Sequence, residues 1–430
     1  GQLAPQSITI FGPSLNIVRT EDGRLELGLT QHKYASISKE YSNQDLVKRI
    51  IGELFSPIDI SRPLGYLRRI DIIGANVMVD DRGLDVKWIS PDTVMTLVRE
   101  EDNVLVSAEL TVQSTSKLVE KTAAINLRGD YNLEKKDAKI TISFTDLNPV
   151  VFSPISQKFT SLENFDLPMS GTVNLMVLRS GKIENIQFNL SSGKGRIAFV
   201  ESVQASVAVE RLNFIGEYNK TLGKLQIVDL TFNINQDEKI SLPPPFNHKW
   251  PFGKVSMSGN YDFDFKRLVI QKINIFSKNL TIMASANFQK SDDKIVFKLD
   301  TEASNFPINN MSSVWPKKLA VDTRTWMIKN LAKGTITAAK VNLTGYYNKE
   351  SGVELASILG VMDYEDMTID YVPSMPKATQ ARGKINFNSK KIDVEIIGAK
   401  TGNLSVKNGH VIFSGLDKID QYADVKFEVD

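Results

Sequence analysis

Alternation of apolar and polar residues at period two, sustained strand after strand, is the feature that most limits what this chain can fold into. It runs through Lys139-Ile140-Thr141-Ile142-Ser143-Phe144, through Val173, Leu175 and Val177, and through Ile186, Phe188 and Leu190. Such a pattern makes a strand with one covered face and one face left to water. A longer period rides on it. Gly-x-Tyr recurs at Gly129, Gly216, Gly259 and Gly345, and Gly171 holds the same place without its tyrosine. The spacing is about 43 residues with the last step doubled, so a degenerate copy is expected near Thr301 to Ala303. Repeats of this length bury their apolar faces mainly against their neighbours, and each has room for three or four strands of ordinary length.

A parity break travels with the repeat. Ile183-Glu-Asn-Ile186-Gln-Phe188, Ile227-Val-Asp-Leu230-Thr-Phe232 and Ile270-Gln-Lys-Ile273-Asn-Ile275 each carry one extra residue between two apolar runs. Unless a bulge absorbs that residue, the inward set turns to the opposite face. A built-in bulge that bends each strand is therefore expected.

Helical signals are few. Ile8 and Ile10, Leu15 and Ile17, and Leu25, Leu27 and Leu29 read as short antiparallel strands with tight turns, one of them at Gly12-Pro13. Leu46, Val47, Ile50, Ile51, Leu54 and Phe55 follow helical spacing, which predicts a helix over 44–55 closed by Pro57; a second short one is predicted over 61–69. Strands resume from Ile70 to Val79, turn at Asp80-Asp81-Arg82-Gly83, and continue through Trp88. A third helix is predicted over 323–333, with Asp322 as N-cap and Gly334 as its stop. The organisation expected is an N-terminal β segment (1–115), repeated β units (116–305), a helical insertion acting as lid or spacer (306–334) and further β units (335–430). Pro243-Pro244-Pro245 through Trp250-Pro251 is the expected joint or long turn.

The apolar face of so many strands needs cover, and the short helices offer little. A closed barrel, a sandwich, or a sheet curled into a gutter around something apolar would each answer. The fold class expected is mainly β: an elongated, twisted antiparallel sheet curled into a groove of repeats, with a few short helices. The side chains expected to line the groove are Ile125, Leu127, Ile140, Ile142 and Phe144, then Val173, Leu175, Phe188 and Phe214. Further along they are Phe232, Ile234, Met257, Phe263 and Ile275, then Phe288, Phe297 and Leu343. Trp326, Ile328 or Met327, and Leu331 are expected to lay the third helix over that face. Ordinary core is the plain alternative for residues of this kind.

Composition excludes several chemistries. With 52 basic and 50 acidic residues the formal charge is +2, and no Lys/Arg run marks a nucleic-acid partner. No cysteine is present, so disulfides, thiolate catalysis and Cys-based zinc sites are absent. Only His32, His248 and His410 offer an imidazole, far apart in sequence. No nucleophile elbow, phosphate loop or zinc-protease helix appears; Gly193-Lys194-Gly195 reads as a hairpin turn, and Asp363, Glu365, Asp366 and Asp370 as a solvated strand and turn. Neither catalytic residues nor a cofactor or metal are expected. No apolar run approaches the ~20 residues that span a bilayer, no signal peptide is visible, and the start at Gly1 without Met reads as an excised fragment.

Trp315-Pro316, Arg324-x-Trp326 and Gly334-x-Ile336, running into Val341-x-Leu343-x-Gly345, resemble the signature of the bacterial AsmA-like proteins, closest to the YhdP branch and related to TamB. Ile70-Asp71-Ile72, Ala75-x-Val77, Asp80-Asp81, Trp88 and Pro91 resemble the segment that precedes that family's long β region. The resemblance implies a periplasmic β-rich body in a Gram-negative envelope, anchored to the inner membrane by a segment outside this chain. It also implies movement of phospholipid to the outer membrane in support of its permeability barrier.

The function expected is thus a non-enzymatic lipid conduit whose groove takes phospholipid acyl chains. The alternative is a structural or assembly factor that binds envelope β-rich proteins through exposed sheet edges. A hydrolase on a β scaffold is the third reading, and it lacks a base and nucleophile pair.

Overall fold

The structure, a computed structural model, describes residues 4–21, 25–28, 43–83, 85–114, 122–153, 157–199, 202–234, 240–241, 249–250, 253–277, 280–315, 321–348, 350, 352–370, 375–418 and 420–430. His32, His248, Pro316 and most of the expected joint at 243–251 lie outside these residues. The protein is mainly β, and its sheet is mixed and not closed into a barrel. The chain divides into two compact units, Gly1–Ile197 with Arg211–Gly223, and Ala198–Glu210 with Lys224–Asp430.

In the first unit each strand pairs with the next in the order Arg69–Asp81, Val86–Arg99, Asn103–Ser114, Thr122–Asn132, Ala138–Leu147, Met169–Val177 and Ile183–Ser192, all antiparallel. Residues 213–219 complete the series against Ile183–Ser192. The beginning departs from the expected meander. Ser7–Phe11 and Ser14–Arg19 both pair in parallel with Arg69–Asp81, and only Leu25–Gly28 forms a hairpin, against Ser14–Arg19. Gly12-Pro13 is thus no hairpin turn. Gly12 (φ 63) donates its N–H to the Ile73 carbonyl beside Gly74 (φ 68), so the edge chain jogs past a bulge and carries on in the same direction. A parallel return needs a crossover, and the helix Asn43–Leu54 lies within it.

That helix matches the prediction within a residue at each end. The second predicted helix does not form: residues 59–67 make successive one-turn bonds, Arg62 N–H to Asp59 O, Gly65 N–H to Arg62 O and Leu67 N–H to Leu64 O. The Asp59 carboxylate takes the Ser61 N–H at 3.0 Å, a local bond that competes with helix propagation.

In the second unit the order is Lys224–Ile234, Lys254–Asp262, Arg267–Ser277, Leu280–Ser291, Lys294–Pro307, Leu331–Asn348, Gly352–Ile369, Ala378–Asn388, Lys391–Thr401, Leu404–Ser414 and Tyr422–Val429, antiparallel throughout. The parity breaks are bulges. Ile227 faces Gly259 while Leu230 faces Met257, and Ile270 and Ile273 face the same two residues from the other side. Val228, one of the extra residues, is 53% exposed.

The repeat is simpler than its spacing implies. Strands carrying Gly129, Gly171 and Gly216 are separated by one strand each, so a step is two strands with long connections. Pro149–Phe152 and Gln157–Asn164 form short 3₁₀ helices in one such connection. Thr301 to Ala303 lie in Lys294–Pro307, a strand that runs opposite to its neighbour carrying Gly345. Ala286 faces Ile270, which faces Gly259, and so holds the corresponding place.

Candidate functional site: the apolar face

Residues directly opposite in neighbouring strands share one face of a sheet, so the register sorts side chains by face. In the first unit one line across the strands reads Ile10, Ile72, Met95, Ala108, Leu127, Ile142, Val173, Phe188, Gly216. The line one residue away, on the other face, reads Thr9, Asp71, Thr96, Ser107, Arg128, Thr141, Asn174, Gln187, Glu217. Every member of the first is apolar or glycine, and every member of the second is polar.

The polar line is knitted together by side chains. Thr96 donates to Asp71 at 2.9 Å and Thr141 to Asn174 at 2.8 Å. Arg69 donates to the Asp71 carboxylate at 2.7 Å, holding its pKa below the usual carboxylate value. An open depression of about 440 Å³ lies along this polar side around Ser107, Arg128 and Thr141, and another of about 490 Å³ lies in the second unit around Lys340, Asn386 and Asp393.

Seventeen residues were expected to line the groove, and the register brings most of them together. Ile125 and Phe144 share a line with Leu190 and Phe214; Leu127, Ile142, Val173 and Phe188 share the next; Ile140 and Leu175 lie on the third beside Ile186. In the second unit Phe232 and Ile275 belong to one line across eleven strands: Phe232, Val255, Ile275, Ile282, Ala303, Ala339, Met362, Ile385, Val394, Val411, Val425. Met257 lies on the adjacent line with Leu230 and Ile273, Phe288 faces Phe297, and Leu343 faces Leu299. Phe263 does not join them: it sits in the turn after Lys254–Asp262, 48% exposed, edge-on to Tyr261 at 4.6 Å. Ile234 ends its strand, 6% exposed. The other fifteen are half-buried, the state of a sheet face with neighbours alongside and little above.

Glycine supplies the second element of the pattern. Gly216 faces Phe188, Gly345 faces Phe297, Gly360 faces Phe387 and Gly409 faces Phe427. A Cβ on Gly345 would stand 3.0 Å from the Phe297 ring, and one on Gly409 2.6 Å from that of Phe427. The rings lie across the glycines, covering backbone that has no side chain of its own. Gly360, Phe387, Gly409 and Phe427 were not singled out from sequence; Gly opposite Phe is visible only once strand register is known.

Two helical elements cover parts of this face. Asn43–Leu54 lies over the first strands, where Leu15, Leu54, Leu67, Ile70, Ile72, Ala75, Val77 and Leu97 form a dry cluster at 4% exposure or less. Its end is pinned by Arg99, 5% exposed, which donates to the Glu53 carbonyl at 3.1 Å and to the Ser56 carbonyl. A cation on the orphan carbonyls of a helix C-terminus is favourable. Burial, with Arg68 adding to it, lowers the Arg99 pKa from its usual high value. Phe55 meets Tyr131 edge-on at 5.4 Å. From Thr122–Asn132 onward the face is half-buried.

The insertion in the second unit comprises Ile308–Asn310, Met311–Val314 and Val321–Asn330. The last helix is shorter than predicted: Asp322 lies inside its first turn, Leu331 opens the following strand, and Gly334 (φ 130) lies within that strand. A Cβ on Gly334 would come within 2.7 Å of the Met367 backbone, so close strand approach, and no helix stop, explains this glycine. Ile308, Met311, Trp315, Met327 and Leu331 pack on the cluster of Ile336, Tyr364, Met367, Ala381 and Ile396. Trp326 is 41% exposed and meets the Phe413 ring at 6.2 Å, and Ile328 is 38% exposed. The insertion therefore packs along one rim of the face through Met327, with Ile328 turned away. Arg324 ties it together by donating to the Trp315 and Ser312 carbonyls, both at 3.0 Å.

The polar groups nearest to chemistry are paired structurally. Tyr364 is 2% exposed and donates to the Glu395 carbonyl at 3.2 Å; burial pushes its hydroxyl pKa well above the usual value. Asp393 accepts from Lys391 at 2.7 Å and contacts His410, and these two hydrogen bonds lower its pKa. Asp366 pairs with Lys333 and Asp370 with Lys377. Among the described residues no group of three or more His, Asp or Glu is placed to hold a metal ion, and no helix is long and apolar enough to cross a membrane. What each unit presents is an apolar sheet face backed by a more polar one. Comparison of the sequence with protein-family models and with curated proteins gives no match.

Proposed function

We propose that this protein is a non-enzymatic conduit for phospholipid, its apolar sheet face curled into a groove that carries acyl chains while headgroups stay in water. The observation that carries the reading is the unbroken apolar line from Phe232 to Val425, with its counterpart from Ile10 to Gly216 in the first unit. Such a surface costs free energy when wet; each methylene buried against it contributes about 0.8 kcal/mol. The uncovered band in the first unit spans four lines of residues, from Ile125 to Tyr131 along one strand. At ~3.4 Å per residue it is about 20 Å wide, room for an acyl chain that fills one ~15 Å leaflet.

The resemblance to AsmA-like proteins of the YhdP branch belongs to this proposal, and with it a place in the periplasm, between an inner-membrane anchor and the outer membrane. In this reading lipid moves down a gradient or under a partner's action. Purified protein extracted with organic solvent should yield phospholipid by mass spectrometry. A lipid-free preparation that also fails to take up fluorescent phospholipid contradicts the proposal.

A second reading rests on one observation. Every residue of Tyr422–Val429 is exposed, Tyr422 at 66%, and an uncovered edge strand is a template for strand addition by another β-rich protein. Photoreactive side chains separate the two: lipid captured at Phe188, Phe232 or Phe288 follows from the first reading, and polypeptide captured there or along Tyr422–Val429 from the second.

A further inference from the structure

The rim of the first unit changes charge where its apolar face becomes uncovered. The hairpin turns after Val86–Arg99, Thr122–Asn132, Met169–Val177 and residues 213–219 all lie on one side of the sheet, because their flanking strands are in register there. The first turn, Glu100-Glu101-Asp102, is acidic and borders the part of the face that the helix Asn43–Leu54 keeps dry. The turns that follow border the half-buried band. They carry Lys135 and Lys136, then Arg179 and Lys182, then Lys220, all exposed.

Glu134 and Asp137 accompany the first pair, whereas residues 178–182 and 220–223 contain no carboxylate. Among the described residues none of these five cations is joined to a carboxylate by an ion pair. Backbone bonds fix the turns that hold them: Lys136 N–H to Asn132 O at 2.8 Å, Leu178 N–H to Lys182 O at 2.9 Å and Lys220 N–H to Glu184 O at 2.9 Å. Successive turns are two strands apart, about 10 Å, close to one Debye length at 0.1 M salt. Their fields therefore overlap along the rim.

From this juxtaposition of an apolar band with a cationic rim we infer that the first unit selects phospholipids with an anionic headgroup, seating the acyl chain on the band and the headgroup phosphate against Arg179, Lys182 and Lys220. The inference rests on the conduit reading and adds the class of lipid. Along the same strand ends of the second unit, two turns mix signs, Asp264 with Lys266 and Asp292 and Asp293 between Lys290 and Lys294, and a third carries Lys390 and Lys391, of which Lys391 pairs with Asp393. The inference is confined to the first unit, where three successive turns are cationic.

The test is binding of phosphatidylglycerol and phosphatidylethanolamine with identical acyl chains, each with a tail fluorophore, to the full chain and to an Arg179→Gln/Lys182→Gln/Lys220→Gln variant with unchanged circular dichroism. Exposed charge pairs contribute little each, so the wild type should prefer the anionic lipid by about tenfold, about 1.4 kcal/mol. The variant should lose that preference, its binding of phosphatidylglycerol falling more than its binding of phosphatidylethanolamine, and 1 M salt should erase it in the wild type. Equal binding of the two lipids by the wild type overturns the inference and leaves the conduit standing. Displacement of the lipid by glycerol phosphate alone also overturns it, because the site would then recognise a free anion. If neither lipid binds, the conduit reading falls first and this one with it.

Discussion

Glycine has two different jobs in the recurring Gly-x-Tyr, and mutation should tell them apart. At Gly345 a Cβ would stand 2.2 Å from the Glu354 carbonyl oxygen and press on the Phe297 ring, whereas at Gly129 the nearest atom is the Val106 Cβ at 3.5 Å, an ordinary contact. Gly345→Val should therefore cost about 1–3 kcal/mol of stability by overpacking, and Gly129→Ala far less, as read by urea unfolding. Tyr364 makes a pH prediction. Its folded pKa is raised by burial, so its contribution is complete below the unfolded value near 10 and is lost as pH rises above it. Stability measured from pH 9 to 12 should fall less steeply in Tyr364→Phe than in wild type.

At the scale of elements the two helical pieces close the face in different places. Asn43–Leu54 adds Ile50 and Leu54 to the buried cluster that Ile70, Ile72 and Val77 form on the strands that begin the first unit. It shuts an end of the apolar face. Val321–Asn330 packs along a rim of the second unit and builds a side wall. Arg99→Ala should release the first helix from its carbonyl anchors and leave Glu53 and Ser56 unsatisfied, so an apolar dye should bind more strongly and protease should nick near residue 55. Replacing Val321–Asn330 by a Gly/Ser linker should keep most of the β circular dichroism while exposing Met362 and Val411.

These elements were unequally legible in the sequence. The first helix was, because Ile50, Ile51 and Leu54 carry a helical period through a chain of alternation. Bulges at Ile227/Leu230 and Ile270/Ile273 were, because an extra residue breaks parity in plain view. The parallel edge was not: Gly12-Pro13 has the composition of a turn, and only the Gly12 bond to Ile73 shows that the chain runs on. The 43-residue spacing misled about the unit, since connection length counts in the sequence and only strand order counts in the sheet. The end of the third helix was misplaced because Gly334 looks like a stop, whereas contact with Met367 two strands' length away in sequence demands it.

For the whole molecule, what sequence could assign was which residues alternate, and what it could not assign was which lines they form. Leu127, Ile142, Val173 and Phe188 become one surface only through pairing across four strands. Phe263, apolar and correctly spaced, drops out because its strand ends one residue earlier. The central claim is that the apolar face of this sheet carries acyl chains. Its most direct test places a photoreactive residue at Phe188 or Phe297 on that face, and at Gln187 or Lys298 on the other, followed by irradiation with envelope lipids and protein present and mass spectrometry of the adducts. Phospholipid captured at 188 and 297 and absent from 187 and 298 is the result the account predicts. Polypeptide at 188 and 297, or lipid captured equally from both faces, would contradict it.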